Sequence, residues 1–262
     1  LKAIAGGSRL IYETDDDNEP LPNWALRPHT VEAVPARPKE WLNAYQHFSN
    51  HNIWPRGFPL DEIATSSGSL VPDDAAIIEV YAPIQQGLAN GSPDVDAVWR
   101  LDLDESIEFK NRPSISLQPG SWCPFNSQST WWWSEAFPLM YLPSHCSFRM
   151  TDIWRSFIAQ RCLWEMGHAL VFHAAEVFQE RNEHNLMRDF SDEISGYLRN
   201  KELVQVLTGL RLEAGSGAQG HNLLACYRAL IAEDFFPGEE LQLVESWLAD
   251  LAALGVEGAV GA

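Results

Sequence analysis

Ile11-Tyr12-Glu13-Thr14-Asp15-Asp16-Asp17-Asn18 runs from a short apolar segment into three consecutive carboxylates and then into a Pro-rich loop. The pattern predicts a strand that ends in acid. Adjacent carboxylates repel one another, and a folded chain that gathers them at a strand terminus generally needs a cation there, such as Mg²⁺ or Mn²⁺ bridging to a phosphate. Alternate side chains of an extended segment share a face, so Asp15 and Asp17 are expected to converge on one ion while Asp16 points away. The competing reading is a solvated acidic turn, the usual fate of a charge run. An EF-hand loop is excluded, because the twelfth position counted from Asp15 is Leu26, where that loop requires a bidentate acid.

The charge balance agrees with a cation site. With 18 Lys and Arg against 36 Asp and Glu, the net charge is −18, which disfavours nucleic acid or an anionic membrane as a partner. A nucleotide diphosphate would meet a repulsive field unless a divalent cation and a few arginines reversed it locally. The 262 residues, 45% hydrophobic with eleven tryptophans, suit one domain with a packed core and a helical extension. No uncharged apolar stretch approaches the roughly 18 residues of a membrane span. Leu1-Lys2-Ala3 lacks an initiator Met and a signal-peptide pattern, so the chain reads as a processed product or a fragment of something longer. Cys123, Cys146, Cys162 and Cys226 are widely spaced and form no CxxC pair, which makes them plain core residues rather than zinc ligands or a disulfide framework.

Short strands and loops are expected up to about Met150, and helices after it. Trp54-Pro55-Arg56-Gly57-Phe58-Pro59 is an ordered loop, since its prolines rule out a helix interior or a central strand. Val95 to Leu101 alternates like a half-buried strand. From Thr151 the period becomes helical: Thr151 or Asp152 is placed to cap the first turn, and Ile153, Trp154, Phe157 and Ile158 form a broad apolar face. Residues 163–190 continue as helix, and the Gly215–Gly220 loop separates them from an amphipathic stretch over about 222–254.

Further segments carry chemistry. Asn126-Ser127-Gln128-Ser129-Thr130 places five hydrogen-bonding side chains before Trp131, Trp132 and Trp133, which suits a polyhydroxylated ligand such as a sugar; a capping loop before buried tryptophans is the equal alternative. Asp152 sits at a helix start between Arg149 and Arg155, as a simple cap or as part of a phosphate clamp. Glu165 and His168 make one ExxH spacing without the second copy and further glutamates of a di-iron bundle. No GxSxG, Walker A or GxGxxG sequence is present, which removes support for hydrolase, P-loop and dinucleotide readings.

Tyr12–Asn18, Trp54–Leu60, Pro93–Leu101, Pro124–Gln128 and Asp152–Arg155, in that order, resemble the STELLO family of probable glycosyltransferases. The resemblance covers about residues 1–165 and does not reach the helical tail after 190. More distantly, the chain is similar to the plant reversibly glycosylated polypeptides, which are UDP-arabinose mutases. Both resemblances imply a GT-A-like α/β fold, a Rossmann-like mixed sheet, over residues 1–190, and the helical pattern beyond makes 191–262 a helical extension. They imply a DXD motif in which Asp15 and Asp17 hold Mn²⁺ or Mg²⁺ on the diphosphate of a nucleotide sugar, UDP-linked above all.

Asp152 then holds the place of the base for the acceptor hydroxyl. Its flanking arginines would make it a weak base, which leaves acceptor binding as its other role. Asn18, Arg56, Gly57, Asn126, Gln128, Arg149 and Arg155 are the candidate substrate contacts. A complete GT-A domain usually places roughly a hundred residues before the DXD strand, whereas fourteen precede Asp15 here. The N-terminal nucleotide-binding strands are therefore expected to be absent, with an upstream segment or a protein partner completing the sheet. Family resemblance also points to the Golgi lumen. The acceptor is a glycan, a lipid or a protein, and the alternatives to a transferase are a sugar-nucleotide mutase and a non-catalytic scaffold that assists polysaccharide synthesis.

Overall fold

A computed structural model describes residues 1–66, 68–180, 182 and 185–259. In chain order the regular elements are α1 (Lys2–Ala5), β1 (Leu10–Thr14), β2 (Asn18–Pro20), β3 (Thr30–Pro35), α2 (Tyr45–Phe48), β4 (Ile78–Tyr81), β5 (Ile84–Gly91), α3 (Ala97–Asp102), β6 (Ser114–Leu117), β7 (Ser129–Trp133), α4 (Thr151–Glu165), β8 (Leu170–Gln179), α5 (Leu186–Gly209), α6 (Gln219–Ala232) and α7 (Glu239–Ala253). The strands form one mixed sheet in the order β1-β7-β5-β8-β6-β3-β4, with β2 pairing with β8 off this path. The architecture is α/β, as expected.

Three local expectations are corrected. Residues 163–190 are not one helix, because β8 lies in the middle of the sheet, parallel to β5 and antiparallel to β6 and β2. Gly167, at φ +77°, ends α4, and the His168 N–H returns to the Leu163 carbonyl at 3.0 Å, the left-handed closure a glycine permits. The strand beyond it, Leu170–Gln179, is covered by packing on both sides and so shows no two-residue period. Residues 97–102 form a helix rather than a strand, started by the Asp96 carboxylate, which accepts the Trp99 N–H at 2.9 Å. The boundary drawn at 190/191 falls inside α5, whose Leu203, Val204 and Leu207 share one apolar core with Trp41 and Phe157 and with Tyr227 and Leu251 of α6 and α7. The tail is thus part of the main core.

Of the two readings of the aromatic run, burial selects the structural one. Trp131 and Trp132 are fully enclosed on opposite faces of β7. Trp131 packs on Tyr12 and Trp24 and donates its indole N–H to Glu176 at 2.7 Å, whereas Trp132 packs on Phe125 and donates to Glu13 at 3.1 Å. They therefore serve the core rather than a sugar. α4 is the expected buried helix, enclosed over most of its length, and all four cysteines are free.

Candidate active site

β7 is antiparallel to both β1 and β5, and β5 is parallel to β8, so β1, β5 and β8 point the same way. Their carboxyl ends, Thr14, Gly91 and Gln179, lie on one side of the sheet, where open α/β sheets take their ligands. The chain leaving edge strand β1 has to reach the far flank of β8, where Asn18 of β2 pairs opposite Gln179. The acidic triplet makes that crossing over the ends of the intervening strands. Gln128, just before β7, anchors it: its carbonyl accepts the Asp15 N–H at 3.4 Å and the Asn18 side-chain amide at 2.5 Å.

The strand ending in acid is present, but Asp16 and Asp17 form a turn and not an extended run. Convergence of the outer two carboxylates arises instead from a shared partner. The Gln179 Nε2 group donates to Asp17 Oδ1 at 2.7 Å and to Asp15 Oδ2 at 3.3 Å, while Asp16 is exposed.

A cavity of about 420 Å³ opens beside this turn. Asp15, Asp16, Asp17, Asp94 and Asp152 line it against Arg56, Arg100 and Arg149, an excess of two negative charges. Leu142 and Phe148 supply apolar rim, and Phe148 is 86% exposed although its backbone is fixed in a short 3-10 turn.

Arg56 organises the inner wall. Its Nε and one Nη grip the two oxygens of Asp94, each at 2.8 Å, and its two Nη groups grip Asp152 at 3.0 and 2.8 Å. A further N–H donates to the Arg149 carbonyl. All five guanidinium donors are thereby engaged within the protein, and none is left for a diphosphate. The side chain expected to contact diphosphate or acceptor is thus engaged, in this structure, in holding two carboxylates.

Asp152 is likewise occupied. Beyond Arg56, its Oδ2 accepts the Ser127 N–H at 3.2 Å and its Oδ1 the Ile153 N–H at 3.0 Å. Burial alone would push this carboxyl up, but the Arg56 charge and its hydrogen bonds, with Arg155 and the Ser127 N–H, more than reverse that, so the group lies below the usual carboxylate range. A saturated, weakly basic carboxylate is poorly suited to take a proton from an acceptor. The decisive arginine is Arg56 rather than the flanking Arg149 and Arg155.

Asp15 shows the opposite behaviour. Burial first, then the charges of Asp94 and Asp17, outweigh the pull of Arg56 and raise its carboxyl from 3.8 to about 6. The site resists ionising the group that ends β1.

The other sequence candidates divide. Gln128 and Arg149 line the cavity with Asp15, Asp17, Arg56 and Asp152. Arg149 directs Nε and one Nη to the buried Glu193 of α5 at 2.8 and 2.6 Å. Asn18, Gly57, Asn126 and Arg155 do not line the cavity. Asn18 ties the turn to Thr14 and Gln128. Asn126 is buried, with its side chain on the Gln128 N–H and the Tyr45 hydroxyl. Arg155, 1% exposed, stacks 4.9 Å from the Trp132 ring centre and pairs with Glu13 at 2.9 Å. Gly57 is required by packing: φ is +85°, and an added Cβ would lie 2.3 Å from Ile153 Cγ2.

Asp94 and Gln179 were not foreseen as site residues. Asp94 carried a signal, the turn sequence Gly91-Ser92-Pro93-Asp94, while Gln179 lay in a segment with a helical reading. Carboxylate oxygens of this kind are the donor type that hard cations take. Among the described residues no three His, Cys, Asp or Glu side chains converge into a protein-only cage. Two carboxylates with remaining positions for water and phosphate is the way Mg²⁺ and Mn²⁺ are usually held.

Comparison with known proteins bears on the whole chain. The family model for STELLO glycosyltransferases matches residues 149–260. Probable glycosyltransferase STELLO1 of Arabidopsis thaliana is 28% identical over 280 aligned positions, covering 98% of this chain and 35% of that protein. Probable glycosyltransferase STELLO2 of the same plant is 27% identical with the same coverage. The chain thus spans about a third of the length of these relatives. The resemblance to the STELLO family holds, and it extends through the helical tail that the sequence motifs left out.

Proposed function

We propose that this chain is a metal-dependent glycosyltransferase domain of GT-A-like architecture, which moves a sugar from a nucleotide-sugar donor, UDP-linked in the first instance, to a hydroxyl acceptor. The observation that carries the proposal is the convergence of Asp15 and Asp17 on one donor at the carboxyl ends of three co-directional strands, beside a cavity with excess negative charge. An anionic donor can enter such a cavity only with a cation, and the two carboxylates would hold Mn²⁺ or Mg²⁺. When bound, the ion neutralises the charge that grows on the departing diphosphate.

The protein's own residues hold that site in place. Arg56 clamps Asp94 to Asp152 and so fastens the end of β5 to the start of α4 across the cavity floor. Glu193 holds Arg149 and also accepts the Ala97 N–H at 2.7 Å, which ties α5 to two cavity walls. We assign Asp152 a positioning role in place of the base role. Arg149 and the Phe148 rim are left as contacts for donor and acceptor. The open side of edge strand β1 is where an upstream segment or partner would add to the sheet, and the Golgi lumen is the compartment this reading carries with it. Among the described residues no helix is long and apolar enough to cross a membrane.

A scaffold role is favoured by one observation, the complete internal use of Arg56. Calorimetric titration of UDP with and without Mn²⁺ separates the two. Binding that needs both the metal and the Asp15/Asp17 pair supports the transferase. No heat with either, from a protein that melts cooperatively, supports the scaffold.

A further inference from the structure

The carboxylates of Asp15 and Asp17 should repel, and nevertheless both face one point. That point is occupied by the side-chain NH₂ of Gln179, the last residue of β8, which lies between them at 3.3 and 2.7 Å. A neutral amide thus stands where a shared cation would have to sit.

The orientation of this amide is set by the backbone, through hydrogen bonds relayed by Gln128. The Asp94 N–H can only donate, and it donates to Gln128 Oε1 at 3.1 Å. The Ser92 carbonyl can only accept, and it accepts from Gln128 Nε2 at 3.2 Å. Gln128 therefore has one permitted orientation. Its Nε2 also donates to Gln179 Oε1 at 2.6 Å, so Gln179 must present its own NH₂ to the carboxylates. Rotating Gln179 to offer oxygen to an ion would set two N–H groups against each other at Gln128. The relay is buried, since Gln128 and Gln179 are 4% and 9% exposed, and it links the ends of β5 and β8 to the turn after β1.

Resting on the metal-site reading above, we infer that Gln179 is a built-in placeholder for the cation: it keeps Asp15 and Asp17 together in the metal-free protein and is displaced when the ion enters. The unliganded protein accordingly holds divalent cations weakly, because the ion must first displace a satisfied amide. The ion becomes tightly held only when the donor's phosphate oxygens add to the two carboxylates, so cation and nucleotide enter as a unit. Gln179 is a positioning residue, and its effect is read in metal binding rather than in turnover.

The test is calorimetric titration of Mn²⁺, without nucleotide, into chelator-stripped wild type, Gln179→Met and Gln179→Glu, each with and without the added pair Asp15→Asn and Asp17→Asn. Methionine keeps the length but removes the donor, and glutamate offers the ion an oxygen. The expected result is Mn²⁺ binding about threefold tighter in Gln179→Met and at least roughly tenfold tighter in Gln179→Glu, lost with the paired Asn substitutions. Both variants are also expected to melt below wild type in chelator, with Mn²⁺ closing the gap. Wild-type Mn²⁺ binding that depends on Asp15 and Asp17 but is no tighter in either folded variant would overturn the placeholder while leaving the metal site standing. No Mn²⁺ binding in any protein, with or without UDP, would overturn both.

Discussion

Replacing Asp15 by Asn is expected to stabilise the metal-free protein while abolishing the proposed cation site. The carboxyl is raised from 3.8 to about 6, chiefly by burial and then by Asp94 and Asp17. A folded-state value above the unfolded one means that the native protein binds this proton more tightly. Stability associated with Asp15 is therefore fully present below the unfolded value, is lost as pH rises from about 3.8 to about 6, and stays lost above that. At about 1.36 kcal/mol per pKa unit, the ionised group costs up to about 3 kcal/mol at neutral pH. Its side chain keeps some contact with solvent, and screening brings the expected penalty nearer to roughly 1–2 kcal/mol.

Asparagine retains an oxygen for the Gln179 N–H and carries no charge, so the variant recovers this energy. At about 2–4 °C per kcal/mol for a domain of this size, its Tm should exceed that of wild type by roughly 2–8 °C at a pH of about 7.5 in chelator. The gap should shrink toward zero near a pH of about 4. Asp96, raised to about 7 mainly by burial, titrates in both proteins and cancels in the difference. Differential scanning calorimetry across that pH range is the assay. Saturating Mn²⁺ should raise the wild-type Tm and leave the variant unmoved, closing or inverting the order. A variant no more stable than wild type at neutral pH, or one whose advantage is as large near pH 4, would refute the account of Asp15 as a carboxylate ionised against local repulsion.

Asp152→Asn should destabilise the fold by about 3 kcal/mol, because it turns an amide N–H toward the buried Arg56 and removes the counter-charge; urea denaturation measures this. If the side chain is a clamp, UDP·Mn²⁺ affinity of the remaining folded protein stays within about threefold of wild type at 0.6 kcal/mol or so, whereas a much larger loss of affinity with little destabilisation would return it to the ligand. Gly57→Ala should cost about 2–4 kcal/mol, from the left-handed backbone and the contact with Ile153, again without altering nucleotide affinity of the folded fraction. A neutral Gly57→Ala would mean the loop and α4 move apart easily.

The parts of this site that were legible in the sequence are those written locally. An apolar run entering three acids announced the end of β1, and a 3.6-residue period announced α4. β8 was hidden because a strand packed on both sides carries no alternation, and its His173 and Glu176 read as polar positions of a helix. Both are buried in polar networks: His173 meets Gln85 at 2.9 Å, and Glu176 accepts from Arg27, Ser129 and Trp131. The pairings that decide chemistry were equally hidden, since Arg56 and Asp152 are 96 positions apart and Gln179 and Asp17 are 162 apart. Proximity in sequence pointed to Arg149 and Arg155, which instead serve Glu193 and Glu13.

That redistribution of charge bears on how the cavity treats an anion. An arginine with open donors would attract phosphate by itself, with or without a cation. Here Arg56 is closed by two carboxylates and a carbonyl, and Arg149 is held by Glu193, so these two positive charges serve to hold acids in position. The cavity keeps its negative excess, and Asp15 bears the cost as a raised carboxyl. Such a field opposes free phosphate or a metal-free nucleotide, and under the proposed function attraction would begin when a divalent ion binds the acidic turn. The metal dependence proposed above would then come from the cavity as a whole, and neutralising Asp15 alone would relieve the repulsion without supplying the ion that a diphosphate would need.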